Sequence, residues 1–161
     1  MNLSNYDILN LMKSSPYFLG VYSRDQLPPL MITGGGATTT TTSLPVTLII
    51  NTDTSNHDGI HWVAIYISTC REGEYFDSFA QYPPNQIALW LNRYTKNHWK
   101  CILKPSHQYS IQHPFTNVCG AYAVYYARER PLVASSDDLF HFIDPVRKLN
   151  NDQAVLSYIN K

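Results

Sequence analysis

The sequence predicts an α+β domain: a central, mostly antiparallel sheet, one buried helix and further helices around them. Three observations lead there. Strand-like runs cluster between residues 46 and 79. CGAYAVYYARER (119–130) is apolar nearly all round until Arg128, the pattern of a helix without a solvent face. Helix-start signals lie toward both ends, outside the strand cluster.

Taken in order, Ser4 caps a first helix, and Asp7 completes a capping box. Ile8, Leu9, Leu11 and Met12 supply its apolar side, and Pro16 ends it. Residues 16–30, PYFLGVYSRDQLPPL, read as packed irregular chain. VTLIIN (46–51) is a β-branched strand. TDTSNHDG (52–59) is turn chemistry, and HWVAIYIST (61–69) alternates as a second strand. After REGE comes a third, EYFDSF (74–79); so short a turn makes these two an antiparallel hairpin. Pro83 and Pro84 open a helix to about Asn97, with Ile87, Leu91 and Tyr94 on one side and Trp90 beside them. WKCILK (99–104) is a further strand. Beyond the buried helix, Ser135 with Asp138 and Asn150 with Gln153 cap two more helices.

The chain has 161 residues, enough for one good core and short for two, so 1–161 reads as a single domain. The odd stretch is MITGGGATTTTTS (31–43), where three of the seven glycines precede five threonines. Division there would leave about 30 residues on one side, too few to fold alone, so a flexible loop at about 33–43 is expected instead. No segment is apolar enough to span a membrane, and MNLSNYDILNLMKSS lacks the basic start and apolar run of a secretory signal. Three cysteines without a CxxC pair argue against a disulfide framework or structural zinc, and for a reducing, intracellular setting. Formal net charge is zero, yet no Asp or Glu occurs from Ser78 through Arg128. That span holds Arg93, Lys96, Lys100, Lys104 and Arg128: a mildly basic face, or a patch for an anionic partner such as nucleic acid.

Four positions carry chemistry. Cys119 begins the buried helix, where the dipole and free backbone N–H groups favour the nucleophilic thiolate; its plainer reading is a small apolar residue starting a core helix. Gly120 beside it leaves room for a substrate backbone. His61 opens the second strand and Asp77 closes the third, so the hairpin brings them to one end, where the carboxylate fixes one ring nitrogen and leaves the other free. Gln112, seven positions before Cys119, can aim an amide N–H at a developing oxyanion, with the Cys119 N–H as second donor. Together these are nucleophile, base, orienting acid and oxyanion donor of a cysteine hydrolase. A metal site from His61, Asp77 and Cys119 is open on ligand type, but their spacing does not ask for one.

At GIHW (59–62), YFDSF (75–79) and QHPFTNVCG (112–120) the sequence resembles the adenain family, the adenovirus maturation proteases and their relatives in other double-stranded DNA viruses. PYFLGVYSRDQLP (16–28) and INT (50–52) extend the likeness to about residue 130. Asp77 stands where adenain has Glu; the related SUMO-type proteases use Asp. The resemblance implies an adenain/SUMO-protease-like fold and a monomeric cysteine endopeptidase processing viral precursors at glycine-containing sites, in virion and host nucleus. It assigns catalysis to Cys119, His61, Asp77 and Gln112, and substrate contacts to Trp62 and Gly120. No cofactor or metal is required. By resemblance a viral peptide disulfide-bonded to Cys101, and DNA, are activating partners; otherwise Cys101 is a plain strand residue. Ile32-Thr33-Gly34-Gly35-Gly36 fits the family's cleavage pattern, which makes the Gly35–Gly36 bond a self-cleavage site or a low-complexity coincidence. The alternatives are a SUMO or ubiquitin-like deconjugase, and an inactive module binding glycine-rich peptide or DNA.

Overall fold

The computed structural model describes residues 2–32, 42–59 and 61–161. The Gly35–Gly36 bond and nearly all of the expected flexible loop lie outside the described residues. A five-stranded sheet of order β1-β2-β3-β4-β5 organises the molecule. Its strands are β1 (Phe18–Ser23), β2 (Val46–Asn51), β3 (Trp62–Ile67), β4 (Gly73–Phe76) and β5 (Trp99–Cys101). The sheet is mixed: β2–β3 and β3–β4 pair antiparallel, while both outer strands run parallel to their neighbours.

The centre strands are buried at every position. Their runs are therefore continuously apolar, because both faces are covered. Leu48, Ile50, Val63, Ile65, Ile67 and Tyr75 meet α2 (Asn85–Tyr94) through Ile87, Trp90, Leu91 and Tyr94. Ile49, Ala64, Tyr66 and Phe76 on the opposite face meet α3 (Cys119–Glu129), which is buried from Cys119 through Ala127. Around α3 pack α1 (Asn5–Met12) and α4 (Lys148–Ile159). α1 has the expected capping box, with Ser4 N–H and hydroxyl on Asp7 Oδ2 at 2.8 and 2.6 Å.

Several expectations change: the strands expected over 74–79 and 99–104 end at Phe76 and Cys101. Residues 18–23 are not irregular chain but edge strand β1; all six are half-buried and the register slips between Phe18 and Gly20, so no alternation marks them. α4 starts at Lys148, with no side-chain cap from Asn150; Asp144 Oδ1 instead accepts the Val146 and Arg147 N–H groups just before it. Ser135 caps a short 3₁₀ turn, Ser136–Leu139, through the Asp137 N–H rather than through Asp138.

Candidate active site

The start of β3, the end of β4 and the start of α3 converge. Pairing of Ala64 with Phe76 brings the two strand ends together, and His61 Nε2 lies 2.7 Å from Asp77 Oδ1. Asp77 is buried, and its Oδ1 also accepts the Phe79 N–H at 2.8 Å, which fixes the carboxylate. The Phe79 ring lies against the imidazole with centroids 5.1 Å apart. His61 Nδ1 is buried and makes no hydrogen bond of ordinary geometry among the described residues.

His61 and the Cys119 thiol also act on each other's protonation. Burial by itself would lower the His61 pKa; the hydrogen bond to Asp77 and then the interaction with Cys119 outweigh it and raise the value to about 9. Burial would likewise raise the Cys119 pKa. The His61 ring reverses this, and backbone N–H groups of Trp62 and Gly120 assist, so the thiol lies below its ordinary value. As first residue of α3, Cys119 has no intrahelical acceptor for its own N–H. Both shifts run toward thiolate beside imidazolium.

Gln112 is completely buried and more tightly held than a free oxyanion donor. Its Oε1 accepts the Ser78 hydroxyl at 2.7 Å, and its Nε2 donates to the Thr116 carbonyl at 2.7 Å. One amide hydrogen remains uncommitted but for a long contact to Thr116 Oγ1 at 3.4 Å. Sequence reasoning missed Ser78 and Thr116; the one hint was the place of Ser78 beside Asp77.

Trp62 and Gly120, the expected substrate contacts, are both buried. Trp62 is buried and its indole N–H donates to the Leu3 carbonyl at 2.9 Å. A Cβ on Gly120 would lie 3.1 Å from both Leu3 Cβ and Trp62 Cδ1, so neighbouring protein atoms occupy the space beside it.

Cys101 is half-buried at the end of β5, beside Tyr75 in the sheet register. Burial, then the charge of Asp77, pushes its thiol up. Four of the five cations named in the acid-free span have separate partners: Lys100 lies 3.6 Å from Glu74, Lys104 and Arg93 lie over Tyr109 and Tyr94, and Arg128 donates to the Leu11 carbonyl. Among the described residues no three His, Cys, Asp or Glu side chains are grouped to hold a metal ion, and no helix is long and apolar enough to cross a membrane. A cavity of about 630 Å³ lies away from the thiol, lined by Ser14, Arg128 and Tyr158 among others.

A thiol at a buried helix start, an imidazole beside it and a carboxylate behind the imidazole form the constellation of cysteine hydrolases. No family model matches the chain. The chain is 33% identical over 92 residues to the SUMO-1 cysteine protease of African swine fever virus, isolate Tick/South Africa/Pretoriuskop Pr4/1996. The same figures hold for the cysteine protease of strain Badajoz 1971 Vero-adapted. The match takes in 51% of this chain and 32% of each relative, so the chain spans about a third of the curated relatives it matches. A crystal structure of the selenomethionine form of the African swine fever virus protease aligns with TM-score 0.47 and 24% identity, over 68% of this chain and 43% of that one.

Proposed function

We propose that the chain is a cysteine endopeptidase cutting extended, glycine-containing segments of protein substrates, viral precursors among them. The observation that carries this reading is the His61–Asp77 hydrogen bond at 2.7 Å beside a thiol of lowered pKa. In the proposed reaction the Cys119 thiolate attacks the scissile carbonyl. The Cys119 N–H and the uncommitted Gln112 N–H receive the oxyanion. His61 gives its proton to the leaving amine, and the C–N bond breaks to an acyl-enzyme. His61 then takes a proton from water, which attacks the thioester and releases Cys119. Asp77 holds the ring and its charge throughout.

The narrowness of the site supports the glycine preference. Cys119 is only 6% exposed and His61 is shielded by Phe79, so a backbone with few side chains reaches the sulfur best. The name SUMO-1 cysteine protease, borne by the Pretoriuskop relative, favours a second reading, hydrolysis after the Gly-Gly terminus of a ubiquitin-like protein. A peptide linked through Cys101, DNA as an activator, a monomeric state and a virion or nuclear setting belong to the same proposal; the raised Cys101 thiol makes such a link slow to form.

The test uses the purified protein and Cys119→Ala with a fluorogenic Leu-Arg-Gly-Gly peptide under reducing conditions. Turnover by the wild type alone is expected, and turnover by both would exclude Cys119 as nucleophile. Intact mass followed in parallel reads the Gly35–Gly36 bond. A ubiquitin-like precursor cleaved far faster than the peptide would select the second reading.

A further inference from the structure

The loop from Gln112 to Val118 joins the candidate oxyanion donor to the start of α3, and its shape sets where both donors point. Residues beyond 130 reach it. Asp152, in the second turn of α4, is 3% exposed. Its Oδ2 accepts the Thr116 hydroxyl at 2.7 Å and its Oδ1 the Tyr122 hydroxyl at 2.9 Å, and the His113 N–H lies 3.4 Å from each oxygen. Thr116 in turn offers its carbonyl to Gln112 Nε2 at 2.7 Å. Asn151 beside it donates to the Ile111 carbonyl at 3.1 Å.

A buried carboxylate is costly unless charge or hydrogen bonds offset the desolvation. Among the described residues no Lys, Arg or His ion-pairs with Asp152. Its partners are all neutral donors, and two of the three belong to the loop, the third to α3. A carboxylate serves here because it accepts at both oxygens at once, tying loop and helix to one group. The Gln112 amide is thereby held from both sides, by Ser78 at its oxygen and by Thr116 at its nitrogen.

We propose that Asp152 is a positioning residue for the oxyanion site: by fixing Thr116 and the His113 N–H it sets the Gln112 amide against the start of α3. This rests on the protease reading. α4 is then a working part of the site rather than an outer layer. Asp152 touches neither thiol nor imidazole, so its loss weakens oxyanion binding while leaving the thiolate as reactive as before.

That separation gives the experiment. Asp152→Asn, Thr116→Val and Thr116→Ser are compared with wild type by kcat and KM on the Leu-Arg-Gly-Gly peptide, by the rate of Cys119 alkylation with iodoacetamide, and by Tm. Alkylation displaces iodide and forms no oxyanion. In Asp152→Asn and Thr116→Val, kcat should fall on the order of 10- to 100-fold, less than the roughly 100- to 1000-fold for losing an oxyanion donor outright, because the donor is misplaced and not removed. KM and the alkylation rate should stay within about 3-fold, and Thr116→Ser, which keeps the hydroxyl, should retain the wild-type rate. Thr116→Val changes no volume to speak of and carries the test if Asp152→Asn folds poorly. Unchanged kcat in a folded Asp152→Asn or Thr116→Val protein would overturn the inference. So would a fall in alkylation matching the fall in kcat, because Asp152 would then act on the fold or the thiolate. If the wild type turns over no peptide, the protease reading itself fails and takes this role with it; an active wild type with fully active variants removes Asp152 alone.

Discussion

Glu74 and Asp77 are close neighbours at β4, and both are buried carboxylates paired with a base. The two pairs are finished differently. Glu74 receives Arg130 through two N–H groups at 2.6 and 3.0 Å and accepts the Tyr126 hydroxyl, and the guanidinium lies 4.3 Å from the Tyr66 ring centroid. Each strong donor and acceptor there is matched. Asp77 holds one nitrogen of His61, and the other nitrogen is buried without a hydrogen bond of ordinary geometry. Burial favours protonating Glu74, Arg130 overrides it, and the Glu74 pKa still ends low. A shifted pKa therefore marks both places. What separates a brace from a reactive site is the unmatched atom left over.

The sharpest way to break this comparison is Asp77→Asn. With the orienting charge gone, His61 loses the largest influence holding its pKa up. Turnover should fall on the order of 10²-fold or more, the share that general acid–base catalysis supplies. The sign of the pH effect follows. His61 is raised from 6.5 to about 9, so the imidazolium's contribution to stability is full below 6.5 and is lost as pH rises through about 9. Cys119 is lowered, so its thiolate contribution is present above the ordinary thiol range and is lost as pH falls through the lowered value. Thiolate and imidazolium coexist between those limits. In wild type, kcat/KM should decline above about pH 9; in Asp77→Asn that upper limb should move to lower pH. A limb that stays put would remove Asp77 from the control of His61.

Arg130→Met tests the other pair. It leaves the buried Glu74 with only the exposed Lys100, 3.6 Å away, as a cation and should cost up to about 3–5 kcal/mol of stability, read by urea unfolding. The folded protein should still alkylate at Cys119 at the wild-type rate. Glu74→Gln combined with Arg130→Met should recover much of the loss, because the stranded charge is gone. A double variant as unstable as the single changes added together would show that the two side chains do not act as a pair.

How far each place could be read in advance follows from the range of its contacts. The His61–Asp77 meeting was legible because a short hairpin enforces it. α3 was legible from its run of apolar residues, and Ser4 with Asp7 from a contact spanning one helical turn. β1 was not, since its partner β2 lies beyond a long connection and its residues are all half-buried. The setting of Gln112 was not legible either: Ser78 and Thr116 hold it through side-chain bonds, and the Asp152 bond to Thr116 joins residues far apart in the chain. The parallel outer strands have the same origin, because parallel pairing always needs a long crossover.

Gly120→Ala has the smallest expected effect, and it decides what Trp62 and Gly120 do. Inside α3, alanine gains up to about 1 kcal/mol over glycine in helix propensity. Against that, the added methyl would meet Leu3 and Trp62 at 3.1 Å, closer than comfortable van der Waals contact. Leu3 belongs to the short segment before α1 and can yield by a few tenths of an ångström more readily than Trp62, whose indole N–H is bonded to the Leu3 carbonyl. The two effects oppose, so stability should change by less than about 1 kcal/mol. The Gly120 backbone N–H is unaltered by the substitution, so kcat/KM should stay within about 3-fold, a shift of less than about 1 kcal/mol in barrier. A large fall in kcat/KM at unchanged Tm would mean that substrate does pass over Gly120, displacing Leu3 as it binds, and would return Gly120 to the substrate-contacting surface.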